Sequence, residues 1–526
     1  MSSFPRMGYA QAPVRPPPPA FPGLHPRPPA FLVLLVLCVP PLFIACYGIR
    51  PTQGGGEISA KAAKSQRKID PSDIALPKGY RIEAAATGLT YPTGVTFDDT
   101  GGVFVLESGY SYGEDWQEPR LIRVGPGKVL TTFAAGDSNG PWTGVTWHGG
   151  GDEPGGAFYV SEGGQIRGGS ILKVTANGHG NGKKTVLFEG LPGFGDHHTN
   201  GPAIGPDGRI YFGQGTATNS GVVGLDNHDF GWLKRWPGFH DRPCADLVLA
   251  GVNYATPNPL TADKLDTAET GAFSPFGTRT LPGQTIEGGV PCNGAILRMP
   301  ISGGQPEVVA WGFRNPFALA FSPEGKLYAL DNGYDERGSR PVWGAADLLW
   351  KVEEGAWYGW PDYSGSRTVD RNEFKSPRLG SASLLLDKHP GTVPEPAAQL
   401  PVHSSADGID FSTNPAFGHE GQAFVALFGD MAPKVGKTLE PVGFKVVRVD
   451  VAKGVVEEFA VNRKSPHGPA SKEGSGGLER PISLRFAPGG ASLYVVDFGV
   501  IRVTHKGVEP VPQTGVLWRI WKEEMP

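Results

Sequence analysis

Downstream of residue 75 the hydrophobic and polar positions alternate with a period of two, in short bursts bounded by Gly, Pro and Asp. That period places successive side chains on opposite faces of an extended chain, and the boundary residues are those that tight turns require. The bursts recur as one phrase: a Gly-containing turn, a strand, a second turn, a second strand, then an acidic residue or a Gly. It runs from Pro92 to Glu107, from Trp142 to Glu162, from Gly201 to Gly213, from Asn315 to Asp331, from Asp407 to Leu427 and from Pro481 to Asp497. A third strand follows each copy, with one basic residue set among apolar ones: Arg123, Lys173, Arg298, Lys351, Arg448 and Arg519.

A small antiparallel sheet of this kind cannot bury its own faces. Six of them packed radially bury one another and leave only short edges. The predicted fold is therefore all-β, a six-bladed β-propeller over residues 75–526, at roughly 75 residues per blade. The segment Gly79 to Ala85 is expected to lend a strand to the last blade, beside Val516 to Ile520, and so close the ring. The longest insert, from Thr216 to Asn293, reads as a substrate-side or interface loop.

The N-terminal part is patterned differently. Residues 1–30 are Pro-rich and carry Arg6, Arg15 and Arg27. Residues 31–47 form an uncharged apolar run, and 48–74 read as a linker. Positive charge ahead of an apolar run fits an export signal or a membrane anchor. Leu42 to Cys46 loosely resembles a lipoprotein signal, with Cys46 as the lipidated residue. The expected location is periplasmic or extracellular, with the chain held at the membrane through residues 31–47.

Composition narrows the picture. With 77 Gly and 51 Pro, the chain is either disordered or built of tight turns, and 39% hydrophobic content decides for the second. A formal net charge of -4 without a long basic run gives no basis for a nucleic-acid partner. The body holds Cys244 and Cys292, with no CxxC spacing. They are either a disulfide or two buried thiols.

Chemistry concentrates at blade entries. Asp196-His197-His198 precedes the third copy, and Arg314-Asn315-Pro316 opens the fourth. Asp331-Asn332-Gly333-Tyr334-Asp335-Glu336 closes the fourth, and Trp357-Tyr358-Gly359-Trp360-Pro361 follows. In the repeat frame the His and Arg clusters hold equivalent places, so they should face one channel mouth. His197 or His198 could instead cap loop carbonyls, Arg314 could tie blades together, and the aromatics suit packing. Asp226-Asn227-His228-Asp229 reads as a cation-binding or a solvated loop.

These motifs resemble those of the PQQ-dependent glucose and sorbosone dehydrogenase propellers. There an Asp-His pair precedes a Gly-Pro-Asp turn, here Gly205-Pro206-Asp207; an Arg-Asn-Pro and a Gly-Trp-Pro turn follow. The resemblance implies a quinone-dependent oxidoreductase acting on a sugar or related alcohol or aldehyde, with PQQ as cofactor and Ca2+ as a second one. It implies His197 as general base with Asp196 beside it, and Arg314 stabilising the reduced quinone. Arg314 and Asn315 would bind the cofactor, with Lys434, Lys437 and Arg480 as candidates by position. Gly333, Tyr334 and Asp335 match the calcium loop, although Arg337 and Arg340 stand where the family carries further acids. The alternatives are a metal-dependent lactonase-type hydrolase, using Glu107, Asn200 and Asp331, and a non-catalytic cell-surface binding propeller.

Overall fold

The computed structural model describes residues 67–523, apart from 110–116, 151–154, 178–180, 378, 433–435, 437, 465–467 and 504–506. Six antiparallel sheets stand around one axis, five of four strands and one of five. The alternating phrases form their first two strands. The innermost strands are Pro92–Phe97, Trp142–His148, Thr199–Ile204, Pro316–Phe321, Ala406–Phe411 and Pro481–Phe486. Each packs on the next, and the sixth packs back on the first. The predicted closure is present: Tyr80–Leu89 pairs antiparallel with Gly515–Lys522, with Ile82 opposite Ile520. The sequence did not foretell a second contribution from the start of the chain, where Ile74–Ala75 adds a fifth strand to blade five opposite Asn462 and Val461.

Apolar clusters fill the wedges between neighbouring sheets. Leu106, Trp142, Val145 and Val160 lie between blades one and two. Phe417, Phe424, Phe459 and Phe486 pack between blades five and six, with Phe417 and Phe486 edge to face at 4.9 Å. Each such side chain contributes roughly 1.5–3 kcal/mol by leaving water. The ring is tight at its axis. A Cβ on Gly144 would lie 1.5 Å from the Gly201 carbonyl oxygen, so only Gly lets those two inner strands meet.

The long insert leaves blade three after Arg209–Gln214 and returns at Ala295–Pro300. It carries two short helices, Leu225–Asp229 and Trp232–Arg235. Cys244 and Cys292 form a disulfide near its base, with Cα atoms 5.1 Å apart, which settles the choice the sequence left open. The apolar run 31–47, with Cys38 and Cys46, lies outside the described residues. Among the described residues no helix is long and apolar enough to cross a membrane.

Candidate active site at the axial mouth

The acidic stops of the first, fourth and sixth repeats are structural devices. Asp331 accepts from the backbone N–H of Arg314 at 3.1 Å and of Asn315 at 2.7 Å, which fixes the entry to blade four's inner strand. Asp497 does the same for Glu479 and Arg480. Glu107 accepts from the Thr90 N–H and from Arg120. Glu107 and Asp331, offered with Asn200 as a lactonase-type metal set, are thus each committed to their own blade. Asn200 donates instead to Asn315. Burial raises the Asp331 carboxyl to about 6 against the pull of these donors.

Two loops more than a hundred positions apart meet at Thr216. Its N–H donates to the Arg314 carbonyl at 2.9 Å, and its own carbonyl accepts from the His197 N–H at 3.2 Å. His197 Nδ1 lies 2.9 Å from that same carbonyl and 3.0 Å from the Thr216 hydroxyl. The hydroxyl proton is already given to the Thr218 carbonyl at 2.7 Å. Both partners of Nδ1 therefore act as acceptors, so Nδ1 carries the ring proton and Nε2 presents its lone pair. No described residue bonds Nε2. Burial first, then the charges of Arg314 and Arg337, hold the imidazole well below its ordinary pKa. The ring is a neutral base at pH 7.

Arg314 is buried and forked. Its Nε donates to the Asn219 carbonyl and side-chain oxygens, both at 3.2 Å. Nη2 reaches Asn219 Oδ1 at 3.0 Å and Asp335 at 2.9 Å. Nη1 donates to the Asn332 carbonyl at 3.3 Å. One N–H of Nη1 is left without a described partner. Asp196 pairs with Arg337 at 2.9 Å and accepts from Asn227. Burial raises its carboxyl against the pull of Arg337.

Other predicted residues do different work. Asn315 spends both ends of its amide in a belt around the axis. It accepts from Asn200 at 2.8 Å and donates to Asn332 at 2.7 Å, and Asn332 donates to Asp407 at 3.1 Å. Arg480 points into backbone, donating to the Gly429 and Asp430 carbonyls between the Phe428 and Phe444 rings. It is a brace between blades rather than a cofactor ligand. His198 turns to the Gly193 carbonyl, and burial lowers it to about 4. Lys434 and Lys437 lie outside the described residues. Tyr358 stacks on Phe313 at 4.2 Å, which makes the Gly-Trp-Pro turn a packing element.

In the predicted calcium loop the structure changes the reading of Asp335. Gly333 donates its N–H to Asp347 and the Tyr334 hydroxyl donates to the Tyr363 carbonyl, contacts that do not involve their own carbonyl oxygens. Asp335 is held by Arg314 at 2.9 Å and Arg337 at 3.1 Å. Although burial pushes the Asp335 carboxyl upward, those guanidinium groups keep it below its usual value. A carboxylate neutralised by two arginines has no charge left to offer a hard cation. Among the described residues no group of three or more His, Cys, Asp or Glu is placed to hold a metal.

Sequence reasoning missed Thr216, Asn219 and His403. His403 has a φ of 61° and its Nδ1 lies 3.8 Å from Asp335. Nothing in its surroundings along the chain marks it; only the meeting of blades four and five does.

No family model and no curated protein matches the sequence. Among solved structures, the chain is similar to a Trichoderma reesei protein of carbohydrate-active enzyme family AA12. The iodide and calcium structures of that protein are each 15% identical, with a TM-score of 0.50, and cover 88% of this chain and all of theirs. The PQQ-bound form of an aldose sugar dehydrogenase from Streptomyces coelicolor is 16% identical, with a TM-score of 0.49 over 85% of this chain and all of its own. At such identities the likeness is one of fold.

Proposed function

We propose that this propeller is a quinone-dependent oxidoreductase that oxidises a sugar, or a related alcohol or aldehyde, with PQQ as cofactor. The observation that carries the reading is His197. Its tautomer is fixed by Thr216, its Nε2 lone pair is free of described partners, and the backbone of Thr216 ties it to the carbonyl of Arg314. Solved structures of this fold that are described as PQQ-bound and as a PQQ domain support it from outside.

The donor set fits an anionic quinone. Arg314 keeps one N–H, and Arg314 and Arg337 both disfavour a positive charge on His197. When bound, PQQ supplies a two-electron acceptor. The chain's own work is then to receive a proton and to orient. His197 Nε2 takes the hydroxyl proton from the carbon being oxidised, as a base that is neutral at physiological pH. Arg314 holds its donor in place through Asn219 and Asp335, so no reorganisation is needed as negative charge develops. The Asp335 carboxylate, held by Arg314 and Arg337, does not fit calcium as it stands, and no step is routed through that ion.

The same proposal places the protein outside the cytoplasm, with residues 31–47 as its membrane attachment. The Cys244–Cys292 disulfide is in keeping with an oxidising compartment. The test is to incubate the purified chain with PQQ, with and without calcium, and to follow dye reduction with several aldoses. No quinone binding together with no reduction by any of them defeats the reading.

A further inference from the structure

Arg337 is the most heavily committed cation of the mouth. Its Nη1 lies 2.6 Å from Asp226 and 2.9 Å from Asp196, and its Nε lies 3.1 Å from Asp335. The three acids come from three separate loops. Asp196 precedes blade three's inner strand, Asp226 sits on the first short helix of the insert, and Asp335 follows blade four's second strand. The Phe230 ring covers the guanidinium at 5.3 Å. The backbone is shaped to this arrangement. A Cβ on Gly338 would fall 2.8 Å from both Asp226 oxygens, and one on Gly224 would fall 2.5 Å from Ser339 Oγ.

We propose that the Arg337 guanidinium is the resident cation of this site, standing where a divalent metal would otherwise draw the three carboxylates together. The physical grounds are charge and reach. Three carboxylates gathered around one guanidinium would repel one another without a cation between them. A planar guanidinium gives directed N–H donors to Asp226 and Asp335 and holds Asp196 by charge, and it cannot be deprotonated in a protein. Both charges that face Asp335 are covalently part of the chain, so this mouth holds its shape without calcium. An added calcium ion would have to displace Arg337 or lie against it. The inference takes only its location from the functional reading above, and its test reads metal content and stability rather than turnover.

The experiment uses the full chain with Arg337→Ser, Arg337→Lys and Arg337→Ser/Asp226→Asn. Calcium content is measured after EDTA treatment and dialysis. Melting midpoints are taken in EDTA and in millimolar calcium, and terbium luminescence serves as a second probe. The wild type is expected to hold no stoichiometric calcium and to melt at the same temperature in both media. Arg337→Lys should behave likewise. Arg337→Ser should melt lower in EDTA and recover by about 5 °C or more in calcium, because a ligand that binds only the folded state stabilises it. It should bind terbium, and the double variant should not. The proposal is overturned if the wild type retains stoichiometric calcium that Asp335→Asn removes, or if Arg337→Ser melts equally low with and without calcium. If Arg337→Ser fails to fold, the wild-type and Arg337→Lys measurements still decide. Failure of PQQ to bind would leave this result untouched.

Discussion

His197 Nδ1 lies 2.9 Å from the carbonyl oxygen of Thr216, a residue whose hydroxyl is already spent on Thr218. That one contact decides which ring nitrogen holds the proton. His197→Ala is therefore expected to lower kcat/KM in the PQQ-linked assay by about 10²–10⁴-fold with little change in melting temperature. Thr216→Val keeps the carbonyl and should cost much less. A His197→Ala enzyme with wild-type turnover removes His197 from the mechanism.

The pH profile should report the same environment. The folded pKa of His197 is depressed, by burial first and then by Arg314 and Arg337. The neutral, competent form thus persists further into acid than for a free imidazole. The acid limb of kcat/KM should fall clearly below pH ~6.5. A limb at or above that value would mean that the titrating group is not a buried His197.

Arg314 links Asn219, Asn332 and Asp335 with a planar fork. Arg314→Ala leaves Asp335 to Arg337 alone and removes the donors to Asn219 and Asn332, and a loss of about 1–3 kcal/mol is expected. Arg314→Lys cannot reproduce the fork and should recover only part of it. Denaturant titration measures both. An Arg314→Ala protein as stable as the wild type would show that the fork does not hold the loops.

Asp407 is a buried acid whose carboxyl burial raises to about 7. Because the folded value is raised, its stabilising contribution is complete below the unfolded value near 4 and is lost as pH rises through 7. Asp407→Asn imitates the protonated acid, and the Ser405 hydroxyl that now donates to it can turn to accept. The variant should be more stable than the wild type at pH 8, by about 1–3 kcal/mol, and closer to it at pH 5. Melting curves at the two pH values check the sign; greater instability at pH 8 contradicts it.

The disulfide closes a segment of sequence separation 48. Its loss through Cys244→Ser with Cys292→Ser should destabilise the chain by about 2–4 kcal/mol. The effect should be felt first in the insert that carries Asp226. Limited proteolysis should cut between the two positions before any blade is cleaved. Cleavage in the blades first would show the insert to be held by other means.

The architecture was legible because each blade repeats the same local grammar, down to the strand that Tyr80–Leu89 lends to the last sheet. The backbone link from His197 through Thr216 to Arg314 joins the entries of two neighbouring blades, which are equivalent positions in the repeat. The repeat could not show what fills the space between. Asn315 and Arg480 stand at matching entries, yet one joins an amide belt and the other a carbonyl brace. Arg337 was visible in the sequence as a departure from an acidic loop. Its role depends on Asp226, more than a hundred residues earlier, in a loop whose packing no local pattern encodes. Of the loop read as cation-binding or solvated, Asp226 turns inward to Arg337 while Asp229 stays exposed.

Among the described residues, the strand Tyr80–Leu89 pairs only with Gly515–Lys522. One partner is thus made long before the other, with every intervening blade between them. During synthesis a sticky β-edge stays open until Gly515–Lys522 has emerged, and through that interval it must be shielded from other chains.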